Sequence, residues 1–285
     1  MRSTPEGSVC RFGHVATTAQ LIGAGESARA LALAVRSGVI RRAAQGVYVC
    51  RHADHHQEVA ALLHGRIDCV TALRRAEVWA GMRRNTHVRV SPRSGRISPP
   101  RGTRVHWRDT VADPFNSWLV PAEQAMMSAL GCLDAEHAVA ALESAVHRDY
   151  LTVAQLRRIC ANAPGRLTRD LAEIELTAQS GLETIVRRRL RRAGFRVVAQ
   201  GHIPGIGHQD LVVEDVIGVE TDGGLWHATA DQHKIDLDRD LRSSALGRGV
   251  IRLGHDDVLV NWETSLQAIA REVGDALDLR RYRGR

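Results

Sequence analysis

Apolar and polar positions along this chain follow two rhythms, one of helices and one of strands. In the last third, apolar runs at 211–213 and 216–219 are separated by the charged pair Glu214-Asp215. That pattern predicts a tight β-hairpin. Another strand is expected at 195–199, leading to the hairpin through the turn Pro204-Gly205-Ile206-Gly207, and a short buried one at 249–253. Helical spacing covers 171–194, interrupted near Ser180-Gly181, then 231–242 and 261–277. The predicted order of this segment is helix, three strands, helix, strand, helix.

Residues 11–50 carry a different pattern. A short helix starts at Thr17-Thr18, where either hydroxyl can cap it, and Gly23 and Gly25 make a turn. Ser27 opens a second helix through Arg36, with Ala30, Leu31, Ala34 and Val35 on its apolar side, and Gly38 ends it. Extended segments follow at 39–41 and 46–50. Helix, turn, helix and a β-wing describe a winged helix-turn-helix. Arg29, Arg36, Arg41 and Arg42 are then the candidate phosphate contacts. The plainer reading is a small helical cap with solvated arginines. Between 51 and 170 a helix is expected at 71–80, strands at 87–90 and 105–107, and helices at 122–130, 135–147 and 153–159, the last capped by Thr152. The loop 91–104 is rich in Pro, Gly, Ser and Arg and is expected to be exposed.

Composition narrows the class. At 285 residues with 44% hydrophobic and 25% charged residues, the chain is long enough for more than one ordinary globular domain. Lys+Arg exceeds Asp+Glu by 39 to 32, a weak preference for a polyanionic partner. The basic residues are mostly Arg, so part of that excess is compositional. Cys10, Cys50, Cys69, Cys132 and Cys160 stand singly without a CxxC pair, which predicts reduced core thiols rather than disulfides or a zinc site. With no apolar signal segment and no membrane-length run, a soluble, cytoplasmic protein is expected. His52, His55 and His56, and the remaining isolated histidines, are read as surface residues.

The chemistry concentrates at 208–227. A hairpin turn near Asp215 sets Asp210 opposite Glu220 and His208 opposite Asp222, with opposed side chains about 5 Å apart on one face. Alternation places Glu220 and Asp222 on that face too, with His227 near in sequence. Carboxylates gathered without a basic partner repel unless a cation sits among them, and hard oxygen ligands suit Mg²⁺ or Mn²⁺. The competing reading is a solvated hairpin that carries acids simply because turns are wet. Ser180-Gly181-Leu182-Glu183 has the S-x-x-E form of a capping box. Glu183 therefore serves the cap, the metal, or both.

Two resemblances add to this. Ser37-Gly38-Val39-Ile40-Arg41-Arg42 with Gln45-Gly46-Val47-Tyr48-Val49 resembles the end of the N-terminal winged-helix domain of AbiEi-type antitoxins, over about forty residues. From Leu171 to the end, the chain resembles the PD-(D/E)XK nuclease superfamily, and most of all the group similar to very-short-patch-repair endonucleases. This second likeness rests on Ser180-Gly181-Leu182-Glu183, Gly207-His208-Gln209-Asp210-Leu211-Val212-Val213, Val219-Glu220-Thr221-Asp222-Gly223, Trp226-His227, Asp236-Leu237-Asp238-Arg239-Asp240 and Val250-Ile251-Arg252-Leu253.

The residue pattern and the resemblances together give an expected α/β chain of three parts. These are a winged helix-turn-helix (1–50), a mixed α+β middle (51–170), and a restriction-endonuclease-like α/β domain with a central mixed sheet (171–285). Asp210 and Glu220 would be the principal metal ligands, joined by the Thr221 backbone carbonyl. Glu183 would be the helix acid, His227 a proton donor or phosphate contact, and Arg239 a phosphate contact. Asp222 stands where the superfamily has lysine, a departure that bears on the usual mechanism. The expected partner is DNA, with a toxin or methylase as a further candidate. The expected activity is metal-dependent DNA cleavage, set against a DNA-binding regulator built on an inactive nuclease fold.

Overall fold

The structure, a computed structural model, describes all residues except 1–3, 83, 110–117, 204–206, 222–248 and 284–285. The chain is mixed α/β and forms two compact units, Met1–Leu133 with Tyr150–Pro164, and Asp134–Asp149 with Gly165–Arg285. Among the described residues, no helix is long and apolar enough to cross a membrane.

The first unit begins with α1 (Pro5–Arg11), β1 (Val15–Thr17), α2 (Thr18–Gly23), α3 (Ala28–Arg36), β2 (Ile40–Ala44) and β3 (Val47–Cys50). Thr17 caps α2 in a reciprocal box with Gln20, and Ser27 Oγ accepts the Ala30 N–H to start α3. The strands form an antiparallel sheet in the order β1-β3-β2. Both helices and both extended segments were legible in the pattern. The flanking α1 and β1 were not, since each is too short to show a period.

The unit continues with α4 (His55–Leu62), β4 (Arg66–Ile67), α5 (Cys69–Arg75), β5 (Thr86–Val90), β6 (Thr103–Trp107) and α6 (Ala122–Leu130). Beyond α7 (Ala135–His147), which belongs to the second unit, it ends with α8 (Val153–Ala161). A second sheet has the order β4-β5-β6, with β5 and β6 parallel. One core runs from Val15, Val47 and Val49 through Val59, Ile67, Val88 and Val90 to Trp118. The helix expected over 71–80 stops earlier. Glu77 turns left-handed (φ 56°), and Glu77 and Val78 donate back to Arg74 and Leu73, a Schellman ending that buries Val78.

The second unit contains α7, α9 (Thr168–Leu171), α10 (Gly181–Arg192), β7 (Val197–Ile203), β8 (Gly207–Val213), β9 (Ile217–Thr221), β10 (Val250–Leu253), α11 (His255–Leu259) and α12 (Trp262–Arg283). Its sheet has the order β10-β9-β8-β7, antiparallel except for the β9–β10 pair, so the expected mixed sheet is present. β8 and β9 form the expected hairpin, pairing Leu211 with Val219, Val212 with Gly218 and Val213 with Ile217. Glu214 and Asp215 both take positive φ, 52° and 56°, the sign a two-residue type I′ turn requires.

Two expectations are adjusted here. The break expected near Ser180-Gly181 in the helical segment 171–194 is present but wider, with turns and irregular backbone over 172–180 before α10 starts at Gly181. The last strand is only partly covered, with Leu253 alone buried. The arginine run of α10 divides, with Arg191 and Arg192 exposed. Arg187 and Arg188 are instead 0% and 2% exposed. Arg187 pairs with Glu143 of α7 at 2.7 Å, and Arg188 with Asp170 at 2.5 Å and Glu173 at 3.0 Å. Arg189 pairs with Glu136, Arg191 with Glu175 and Arg192 with Asp170. The segment 172–180 is tied to α10 through Glu173 and Glu175, which pair with Arg188 and Arg191.

Candidate functional site

α10 and β8 bring two of the expected acids, Glu183 and Asp210, close enough for their charges to interact. Glu183, in the first turn of α10, is 4% exposed. Ser180 Oγ accepts the Glu183 N–H at 3.1 Å, so half of the expected capping box is present. The other half is altered: Glu183 Oε2 accepts from the Gln179 N–H and from Gln200 Nε2, each at 2.9 Å. Gln200 lies on β7 with a left-handed backbone (φ 51°). A non-glycine residue in that conformation stores strain, a feature frequent at functional sites. Burial pushes the Glu183 carboxyl above its ordinary range, and the negative charge of Asp210 pushes it further, against the hydrogen bonds it accepts. Two acids of one site thus feel each other, one from the helix and one from the hairpin.

On the hairpin, the ladder ends at Leu211 and Val219, one step short of the expected Asp210–Glu220 pair. There Asp210 Oδ2 accepts the backbone N–H of Thr221 at 2.8 Å. Thr221 therefore meets the acid through its N–H, whereas the resemblance implied a role for its carbonyl. Glu220 has a basic partner after all. Arg252 stands against it in the parallel β9–β10 register and donates Nε to Glu220 Oε2 at 3.1 Å. Sequence reasoning missed this because Arg252 lies 32 residues downstream. His208 is registered against His202 on β7, with ring centroids 5.3 Å apart. Asp222, His227 and Arg239 lie outside the described residues.

Among the arginines assigned to DNA, Arg29, Arg36, Arg41 and Arg42 are all exposed in the first unit. Arg41 is held by Glu58 of α4. On α3, Arg29, Ala32, Leu33 and Arg36 are exposed at i, i+3, i+4 and i+7, a single helical face.

The tightest gatherings of metal-ligating side chains among the described residues are elsewhere, in the first unit. One is Cys69, His87, His106 and Cys132; the other is Cys10, His14 and Cys50. In each, donor atoms lie within 4.8 Å of one another. This corrects two expectations, that the cysteines are isolated core thiols and that the histidines default to the surface. His87 is 2% exposed. The Cys69 thiol is pushed up by its hydrogen bond with Cys132 and by burial, and the Cys132 thiol is pulled down by that bond and by His106 and His87. No spacing in the sequence announces either group, since each ligand comes from a different element. No family model matches the chain, and no curated protein matches it.

Proposed function

We propose that the protein is a metal-dependent DNA endonuclease of the PD-(D/E)XK type, directed by an N-terminal winged helix. The observation that carries this reading is the buried Glu183 of α10, held by the Gln179 N–H and Gln200 Nε2 and close enough to Asp210 on β8 to feel its charge. A structural helix cap has no need of a second carboxylate beside it, whereas a cation site does. Glu183, Asp210 and Glu220 would hold Mg²⁺ or Mn²⁺. When bound, such an ion polarises the phosphoryl oxygen and supplies a water of lowered pKa.

The chain's own residues do the positioning. Gln179 and Gln200 hold the Glu183 carboxylate from the helix and strand sides, and the Thr221 N–H fixes Asp210. The exposed face of α3 supports DNA recognition, with Arg29 and Arg36 placed for phosphates and Ala32 and Leu33 for apolar contact with base methyl groups.

A second reading, a DNA-binding regulator on an inactive nuclease fold, is favoured by the Arg252–Glu220 pair. An arginine on a metal-site carboxylate competes with the cation. A cleavage assay separates the two readings, using supercoiled plasmid and single-stranded DNA with Mg²⁺, Mn²⁺ or EDTA, beside Asp210→Ala. Metal-dependent cutting lost in the variant supports the nuclease. Retained tight DNA binding without cutting supports the regulator.

A further inference from the structure

Four side chains of the first unit converge from four separate elements. Cys69 is the first residue of α5, His87 lies on β5, His106 on β6, and Cys132 in the turn that follows α6. One donor atom from each lies within 4.8 Å of the other three, with Cys69 and His87 buried and His106 and Cys132 half-buried. His87 Nδ1 faces His106 Nε2 at 3.1 Å. A tetrahedral zinc with Zn–N near 2.05 Å and Zn–S near 2.3 Å separates its nitrogens by about 3.3 Å and its sulfurs by about 3.8 Å. The cluster already has that scale.

The donors are also held in place. Cys69 has a left-handed backbone (φ 55°), an uncommon state for a residue other than glycine. Its N–H is taken by Asp68 Oδ1 at 2.7 Å. Asp68 is fully buried and clamped by Arg89 Nε and Ser128 Oγ, each at 2.9 Å. The Asp68 N–H donates to the His87 carbonyl at 3.0 Å, and the His87 N–H donates to Thr71 Oγ1 at 2.8 Å. The backbone under two donors is thus fixed by a network that uses neither donor. Such support around a ligand set is what metal sites require.

We infer that Cys69, His87, His106 and Cys132 form a Cys₂His₂ zinc site. Two thiolates and two imidazoles exclude Mg²⁺ and Ca²⁺ and suit a tetrahedral zinc. Four protein ligands leave no open position for water, so the site is structural. It ties α5, β5, β6 and the end of α6 across a sheet whose outer strand β4 has only two residues. It is independent of the acidic site in the second unit.

The test uses the full chain, purified without a metal-affinity tag. Elemental analysis is expected to find one zinc per chain. Cobalt substitution should give the intense visible bands of tetrahedral Co²⁺ with a thiolate charge-transfer band. Cys132→Ser and His106→Asn, at the two half-buried ligands, should bring zinc to background, whereas Cys10→Ser should leave it unchanged. Should either variant fail to fold, alkylation of the wild-type chain decides: Cys69 and Cys132 should resist a thiol reagent until a strong chelator is added. Three results would overturn the site. They are a folded, zinc-free protein after growth in zinc-supplemented medium, a Cys69–Cys132 disulfide, and zinc that leaves with Cys10 but stays without Cys132.

Discussion

Glu143 and Glu183 are both buried glutamates of the second unit, and their substitution by glutamine should act in opposite directions. Glu143 accepts Thr184 Oγ1 at 2.6 Å, Arg187 Nη2 at 2.7 Å and the Glu175 N–H at 2.7 Å. Its partner Arg187 is fully buried, and Nε and Nη1 of that guanidinium make no hydrogen bond among the described residues, although Nη1 lies 3.6 Å from Glu175. In Glu143→Gln the buried cation loses its closest counter-charge. Removing one member of a buried pair costs about 3–5 kcal/mol. At about 1.4 kcal/mol per factor of ten, the unfolding equilibrium of this unit should rise by about two to three and a half powers of ten. Hydrogen exchange read by mass spectrometry on peptides from α10 isolates this unit, and there the increase should appear as faster exchange. Glu143→Gln/Arg187→Met removes both charges and should recover most of the loss. Exchange within about threefold of wild type in Glu143→Gln, a difference of under 1 kcal/mol, would refute the reasoning. It would show that Arg187 does not depend on this carboxylate.

The other predictions concern the site and its supports. Glu183→Gln should leave the fold intact and be neutral to stabilising near pH 8, because the raised carboxyl must ionise in a buried place. The folded state keeps that proton above the ordinary value of 4.5, so this group's contribution is full below 4.5 and is lost as pH rises through the folded pKa. Urea titrations of wild type and variant from pH 4 to 8 should therefore diverge as pH rises, and parallel curves would count against the raised affinity. Gly218→Ala puts a Cβ 2.2 Å from Gln209 Oε1, in a buried position where overpacking costs about 1–3 kcal/mol. Adding Gln209→Ala should relieve that strain, and additive losses in the double variant would rule out the clash. Arg29→Ala/Arg36→Ala should lower the salt-dependence slope of DNA binding by about 2. Arg41→Ala should do less, since Glu58 already holds that side chain, and an unchanged slope in the double variant would remove α3 from the interface.

The local part of this fold was legible in the residues themselves. Thr17, Ser27, Thr152 and Ser180 sit where caps were expected and accept the early backbone N–H groups. The bounds of α6 and α7 coincide with the helical period, and the Glu214-Asp215 turn falls where two apolar runs meet. Each of these depends on residues within a few positions of one another, so spacing alone carries the information. What the sequence determined by itself was the capped helices, the hairpin and the presence of acids on it.

Only the tertiary structure decided which charges meet. Arg252 reaches Glu220 because β10 lies parallel beside β9, and a parallel neighbour must come from far along the chain. Arg187 and Arg188, two of the run of arginines on α10, are buried because α7 and the 170–173 segment present acids to them. Cys69, His87, His106 and Cys132 stood out singly in the sequence, and they meet because α5, β5, β6 and the end of α6 share one core. Packing brings together donors that no local period connects, and the same packing decides whether a charge or a thiol is solvated or partnered.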